Sequence, residues 1–202
     1  MEHPEMDMYA YERFLADGKT PFCGVDEAGR GPLAGPVCAA AVLLPEGLVI
    51  PGLNDSKKLT AKKRDALYDI ICESAVAFGI AFATVDEIEA LNIKGATYLA
   101  MNRAIADMEP APVLALVDGN DKNELDIPAI KVVKGDSLCA SIAAASVLAK
   151  VTRDRYMDDM DALYPQYGFA RHKGYGTAAH YAALRECGPS PIHRPTYLRK
   201  MH

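Results

Sequence analysis

The sequence predicts a mixed-sheet α/β layer structure, on three observations. Apolar runs of strand length alternate with longer stretches of helical spacing. Their order, β-β-α-β-α-β-β-α, departs from strict strand-helix alternation, so the sheet should mix strand directions. One long helix is dominated by small side chains, which let it lie close against a sheet. With 202 residues the chain suits one well-buried domain and is short for two.

In chain order, residues 21–25 read as a short buried strand and 36–44 as the next. Residues 45–54, rich in Pro and Gly, form a loop, after which Thr60 caps a helix that should bury Leu67, Ile70 and Ile71. A third strand is expected at about 76–84. Helical spacing resumes through Ala96, Leu99, Ala100, Ala104, Ile105 and Met108, and Pro110 and Pro112 stop it. Residues 113–117 are continuously apolar and β-prone, as in a central strand covered on both faces, and end at Asp118-Gly119-Asn120. A brief strand at 130–133 leads through Lys134-Gly135-Asp136-Ser137 into a helix from about 138 to 163, small-residue-rich over 140–150. The acidic segment 1–17, broken by Pro4, is expected to be disordered. Residues 190–202, with two prolines and several basic residues, either fold onto the site or trail as a partner-binding tail.

Composition excludes several classes. No apolar run is long enough to span a membrane, and no charged-then-apolar leader opens the chain, so the expected location is cytoplasmic. Five cysteines, an odd number without C-x-x-C spacing, read as reduced core thiols rather than a zinc site or disulfide framework. The net charge of −5 by itself argues against a polyanion partner, but the distribution of the charge argues for one. Six Lys or Arg against one acid lie between Arg171 and His202, and Lys57, Lys58, Lys62, Lys63 and Arg64 form a second basic cluster. Two such clusters flanking an acidic centre suit a polyanion held over metal ions.

That acidic centre is read from four residues. Gly24-Val25-Asp26-Glu27-Ala28-Gly29-Arg30-Gly31 sets two adjacent carboxylates before a glycine-arginine-glycine turn. The turn's bare backbone can approach an anion, and Arg30 can grip it through a bidentate guanidinium. A straight strand would send Asp26 and Glu27 to opposite faces, so a shared site requires the chain to end, bulge or turn there. Asp118 follows the central strand and Asp136 precedes a helix. Taken singly, Asp118 is equally an Asp-Gly turn residue and Asp136 equally a helix N-cap. Clustered, the four would repel unless a cation neutralised them, and hard oxygen donors without a Cys or His pattern favour Mg²⁺ or Mn²⁺. Two such ions about 4 Å apart suit phosphodiester cleavage.

The motifs at 24–37, 54–59 (Asn-Asp-Ser-Lys-Lys-Leu), 117–119 (Val-Asp-Gly), 134–136 (Lys-Gly-Asp, followed by Ala-Ala-Ala-Ser at 143–146) and 168–177 (Gly-Phe-Ala-Arg-His-Lys-Gly-Tyr-Gly-Thr) occur in an order that resembles bacterial ribonuclease HII from about Phe22 to Leu198. The resemblance implies an RNase H-like fold, a mixed five-stranded sheet flanked by helices. Within a single domain 1–202, about 21–165 would form the catalytic core and about 166–202 a C-terminal helical extension that helps to bind substrate. It implies an endonuclease that hydrolyses the RNA strand of RNA/DNA hybrids and nicks 5′ of single ribonucleotides in duplex DNA. Two-metal-ion catalysis would leave 5′-phosphate and 3′-hydroxyl ends, in the service of removing ribonucleotides from DNA. Asp26, Glu27, Asp118 and Asp136 become the catalytic, metal-binding set. Gly29, Arg30 and Gly31 meet the backbone at the ribonucleotide-to-deoxynucleotide junction, and Tyr175 helps to read it. The 2′-OH donates and accepts hydrogen bonds, so a closely approaching backbone can test for it.

Lys57 and Ser56 are candidate phosphate contacts, with a solvated helix entrance as the alternative. His172 and His180 are left outside the catalytic set. The chain is expected to act as a monomer on hybrids and ribonucleotide-containing duplexes, with a replication-machinery partner left open. Ribonuclease HIII, with its N-terminal substrate-binding domain, and a hybrid-binding protein that does not cut are the rival readings.

Overall fold

Strands β1 (Phe22–Ala28), β2 (Val37–Leu43), β3 (Ala77–Ala83), β4 (Leu114–Asp118) and β5 (Ala129–Val132) form one mixed sheet ordered β3-β2-β1-β4-β5. The computed structural model describes residues 6–120 and 125–199. β1 pairs antiparallel with β2, and β2 with β3; β4 runs parallel to both β1 and β5. Helices α1 (Met8–Ala16), α2 (Ala61–Ser74), α3 (Val85–Ala106), α4 (Gly135–Leu138), α5 (Ala140–Leu163), α6 (Phe169–His172), α7 (Ala178–Cys187) and α8 (Pro195–Leu198) complete the layers. The predicted α/β class and five-stranded mixed sheet are both present.

The two faces of the sheet follow strand alternation. Cys23, Val25, Ala39, Ala41, Ala115 and Val117 pack under α3 with Tyr98, Met101 and Ile105. Cys38, Ala40 and Val42 face α5 and α2, while Leu114 and Leu116 meet Cys139, Ile142 and α1. Small side chains make the α5 contact possible: a Cβ on Gly24 would lie 2.2 Å from the backbone of Ser141 and Ile142. β2 is buried along its whole length, as befits a strand covered on both sides. The thiols of Cys23 and Cys38 are pushed up to about 12 by burial.

Several expectations need correction. Residues 8–16 of the acidic segment are helical rather than disordered, capped by Asp7; residues 1–5 lie outside the described residues. The buried Glu12 carboxylate accepts the Ser141 N–H at 2.8 Å and its hydroxyl at 2.7 Å. It thus caps α5, whose own N-cap, Cys139, offers no side-chain bond. Thr60 caps α2 as read, but Ile70 is 40 % exposed and only Leu67 and Ile71 are buried.

α3 starts at Val85, eleven residues before the apolar spacing becomes regular, because Thr84 and Glu87 close a capping box. Asn92 then kinks it at φ 59°, and its side chain accepts the N–H of Lys94 and Gly95 to restart the helix. The predicted helix 138–163 is two helices, broken at extended Cys139. Residues 190–199 fold back against the loop 33–35 rather than trailing: Gly35 N–H donates to the Ile192 carbonyl and Arg194 N–H to that of Leu33. Residues 200–202 lie outside the described residues. Among the described residues no helix is long and apolar enough to cross a membrane.

Candidate active site

Parallel pairing brings the first two carboxylates together. The β1–β4 register runs from Phe22↔Leu114 to Val25↔Val117, so Asp26 and Asp118 come next on neighbouring strands. β4 pairs with β5 up to Asp118↔Val132, and the turn after β5 carries the chain into α4, where Asp136 sits. Carboxylate oxygens of Asp26, Asp118 and Asp136 lie within 4.8 Å of one another.

Asp26 and Glu27 do not follow a finished strand, as read from the sequence. β1 continues to Ala28, with Asp26↔Ala40 and Glu27↔Ala39 in register. The side chains opposite them on β2 are small, and Asp26 itself is buried at 3 % exposure. Alternation holds, and the two carboxylates part. Asp26 turns to the α5 face, where it meets Ser146. Glu27 turns to the α3 face, lining a cleft of about 70 Å³ with Arg30, Lys94, Asp118 and Lys131. Asp118, at the end of β4, is within electrostatic reach of both. Glu27 is not one of the three carboxylates whose oxygens converge.

Each carboxylate is held. The Glu27 N–H donates to Asp26 Oδ1 at 2.7 Å. Asp118 Oδ1 accepts the N–H of Gly135 at 2.7 Å and of Asp136 at 3.4 Å, so it caps α4 from a distance and is no simple Asp-Gly turn. Asp136 is not an N-cap: Lys134 holds that position, at φ 58°, without a side-chain cap bond. Asp136 Oδ2 instead faces Lys57 Nζ at 3.3 Å, and Glu27 faces Arg30 at 3.7 Å.

Electrostatics mark the cluster as short of positive charge. Burial raises the Asp26 carboxyl well above the usual range, and Glu27 and Asp118 add to it. Burial also raises Glu27, with Asp118 adding and Arg30 opposing. Burial and then Asp136 raise Asp118. Burial pulls the Lys57 ammonium down, but Asp26 and Asp136 more than offset this and leave it raised. Three convergent carboxylates with an all-oxygen donor set fit a hard divalent cation.

The remaining sequence candidates divide. Lys57, with a side chain 71 % exposed, stands at the rim of the cluster. Ser56 does not: it is 2 % exposed and its hydroxyl bonds to Ser146 at 2.9 Å, so it braces α5. Tyr175 is 45 % exposed and adjoins the glycine turn, since a Cβ on Gly31 would lie 3.6 Å from its ring. Gly29 is required for a reason the sequence did not disclose. At φ +99° its missing Cβ leaves room for the Arg153 side chain, whose Nε would be 2.0 Å away.

Arg153 and Arg194, both fully buried, are the residues sequence reasoning passed over. Arg153 donates to the carbonyls of Ala34, Pro36 and Lys173. Arg194 donates to those of Gly29, Arg30 and Gly35. Either looks in sequence like an ordinary surface cation. Lys94 and Lys131 in the cleft carry no local signal at all.

His172 and His180 belong to a histidine chain that also includes His193. Ser190 N–H donates to His193 Nδ1, so the His193 proton sits on Nε2 and points to His180 Nε2 at 2.9 Å. The His180 proton is thereby placed on Nδ1, which donates to the Tyr175 carbonyl at 2.9 Å. Burial lowers His180, and it lowers His193 to about 4, with His180 adding to the effect.

In sequence and in fold the chain is similar to known proteins. Residues 23–200 match the family described as Ribonuclease HII. A Ribonuclease HII of Dechloromonas aromatica is 61 % identical over 175 residues, covering 87 % of this chain and 89 % of that protein. One of Delftia acidovorans is 59 % identical over 179 residues, covering 89 % and 76 %. Among solved structures, the ribonuclease H2 of Pyrococcus horikoshii superposes with a TM-score of 0.71 at 25 % identity, covering 87 % of this chain and 92 % of that one. The ribonuclease HII of Archaeoglobus fulgidus, in its complex with PCNA, shares the fold at a TM-score of 0.71 and 22 % identity, covering 86 % and 93 %.

Proposed function

The chain belongs to the ribonuclease HII family, a metal-dependent endoribonuclease of RNA/DNA hybrids, and from that premise we propose how its own residues divide the work. Asp26, Glu27, Asp118 and Asp136 are the catalytic carboxylates, and Gly29, Arg30, Gly31 and Tyr175 read the ribonucleotide. The observation that carries this reading is the convergence of Asp26, Asp118 and Asp136 oxygens within 4.8 Å, beside a glycine turn with an exposed tyrosine.

Asp26, Asp118 and Asp136 would hold Mg²⁺ or Mn²⁺, with Glu27 joining from the opposite face of the strand. Divalent cations there supply Lewis acidity to the phosphodiester and make water acidic enough to attack at neutral pH. The protein's contribution is to hold its ligands still. Asp118 is fixed by two α4 amides and Asp26 by the Glu27 amide, so neither has to reorganise when charge develops. Lys57, exposed at the rim, offers a cation to a phosphate oxygen once Asp136 is otherwise engaged. Arg30 can exchange its contact with Glu27 for a phosphate in the same way.

Water attacks phosphorus on the 5′ side of the ribonucleotide, and the P–O3′ bond breaks. The ribonucleotide keeps a 5′-phosphate, and the upstream strand ends in a 3′-hydroxyl. The backbone amides of the glycine turn and the Tyr175 ring read the ribonucleotide-to-deoxynucleotide junction, where a sugar with a 2′-OH meets one without it.

The test is cleavage of a labelled DNA duplex carrying one ribonucleotide, with Mg²⁺, Mn²⁺ or EDTA, and the cut mapped on a gel. A metal-dependent nick immediately 5′ of the ribonucleotide is expected. Asp118→Asn should lose about 100-fold or more in rate, the order of magnitude seen when a group stabilising transition-state charge is removed. Full Mg²⁺-dependent activity in that variant would overturn the carboxylate assignment.

A further inference from the structure

We propose that Arg194, assisted by Tyr197, is a positioning residue for ribonucleotide recognition: it orients the backbone of the Gly29-Arg30-Gly31 turn without itself touching substrate. The inference rests on the assignment of that turn as the reader of the ribonucleotide, made above.

Arg194 is completely buried, and its guanidinium spends its donors on backbone carbonyls. NH2 donates to Gly29 O at 2.6 Å and Gly35 O at 2.7 Å, NH1 to Arg30 O at 3.0 Å, and Nε to Gly35 O at 2.9 Å. The Tyr197 hydroxyl donates to the same Arg30 carbonyl at 2.9 Å, and its ring lies 5.1 Å from the guanidinium carbon. The peptide bonds after Gly29 and Arg30 are trans. In a trans peptide, the carbonyl of one residue and the N–H of the next point in opposite directions. Holding Gly29 O and Arg30 O toward the buried guanidinium therefore turns the N–H groups of Arg30 and Gly31 outward. Gly31 is exposed and Tyr175 stands beside it, so this outward side is where a sugar-phosphate backbone would be read.

A stack of carbonyls around one guanidinium is more than burial of a stray cation requires. The planar fork matches three carbonyls at once, which an ammonium cannot do. None of the contacts reaches Asp26, Asp118 or Asp136. The arrangement thus separates the device that orients the reader from the carboxylates that perform the cleavage.

The experiment compares kcat/KM on a DNA duplex with one ribonucleotide against kcat/KM on a uniform RNA/DNA hybrid, for wild type, Arg194→Lys and Tyr197→Phe. Melting curves accompany each protein. Arg194→Lys should lower the ratio about tenfold or more, and Tyr197→Phe about threefold, in line with the loss of several charged hydrogen bonds or of one neutral one. A residue needed only for folding would lower both activities together and leave the ratio alone.

A ratio preserved in both variants, or an equal fall on both substrates, overturns the proposal. If Arg194→Lys melts below the assay temperature, Tyr197→Phe decides, because it removes a single hydroxyl from a half-buried ring. A wild-type protein with no preference for the single ribonucleotide overturns the assignment of the turn, and this inference with it. A wild-type preference that survives in the variants overturns this inference alone.

Discussion

Asp26 is buried beside two other carboxylates, Glu27 and Asp118. Its carboxyl lies well above the usual range, so the native state favours the protonated form. Stability attached to Asp26 is therefore greatest below the unfolded value of about 3.9 and is lost as the pH rises through the native one. In EDTA at pH 7.5, Asp26→Asn should melt about 2–4 °C above wild type, the shift that 1 kcal/mol brings in a chain this long. Adding Mn²⁺ should raise the wild-type melting temperature more than that of the variant, a readout independent of cleavage. His193 runs the other way. It titrates near 4 in the folded protein, against about 6.5 unfolded, so its contribution is complete above about pH 6.5 and disappears as the pH falls toward 4. Acid should thus loosen the His193–His180 link to Tyr175 before the sheet melts. Tyrosine fluorescence and thermal melts between pH 7 and 4 would follow it, and His193→Asn should flatten the pH dependence.

At the scale of elements, α1 and α5 depend on each other through Glu12. The first N–H groups of α5 have no cap of their own, and Glu12 satisfies one of them together with the Ser141 hydroxyl. Glu12→Ala should cost about 1–3 kcal/mol, a buried donor left unsatisfied, while Glu12→Gln, which keeps an acceptor, should cost less. Urea denaturation of the two variants measures the difference. This contact also explains why the first helix was not legible: α1 is held by a partner 129 residues away, and local composition there is that of a disordered tail. The strands were legible to within one to three residues, because continuous apolar runs report a doubly covered sheet. The exception was the end of β1, where the charged Asp26 and Glu27 look like a loop but are strand residues paired with Ala40 and Ala39. The kink at Asn92 and the break at Cys139 were hidden for a similar reason, since each depends on one residue's backbone angles. The carboxylate set was readable from motifs. The buried arginines that hold the neighbouring loops, Arg153 and Arg194, were not, because a buried side chain that serves distant carbonyls leaves no periodic trace.

For the whole molecule, the net charge of −5 misrepresents what a polyanion meets, because six Lys or Arg stand against one acid between Arg171 and His202, and Lys57 stands at the rim of the carboxylate cluster. Binding of a ribonucleotide-containing duplex in EDTA should weaken steeply with salt. Lys57→Ala should reduce the slope of log K against log salt by about 1, the signature of one lost phosphate contact, and titrations at several KCl concentrations would measure it. A control at Ser56, whose hydroxyl is buried against Ser146, should leave that slope unchanged. The 165 residues that separate Gly29 from Arg194 also set a schedule. During synthesis every carboxylate of the cluster leaves the ribosome before Arg194 does. A nascent chain can therefore gather its carboxylates while the glycine turn still lacks Arg194, and on the role proposed for that turn discrimination between sugars would follow the carboxylate site rather than precede it.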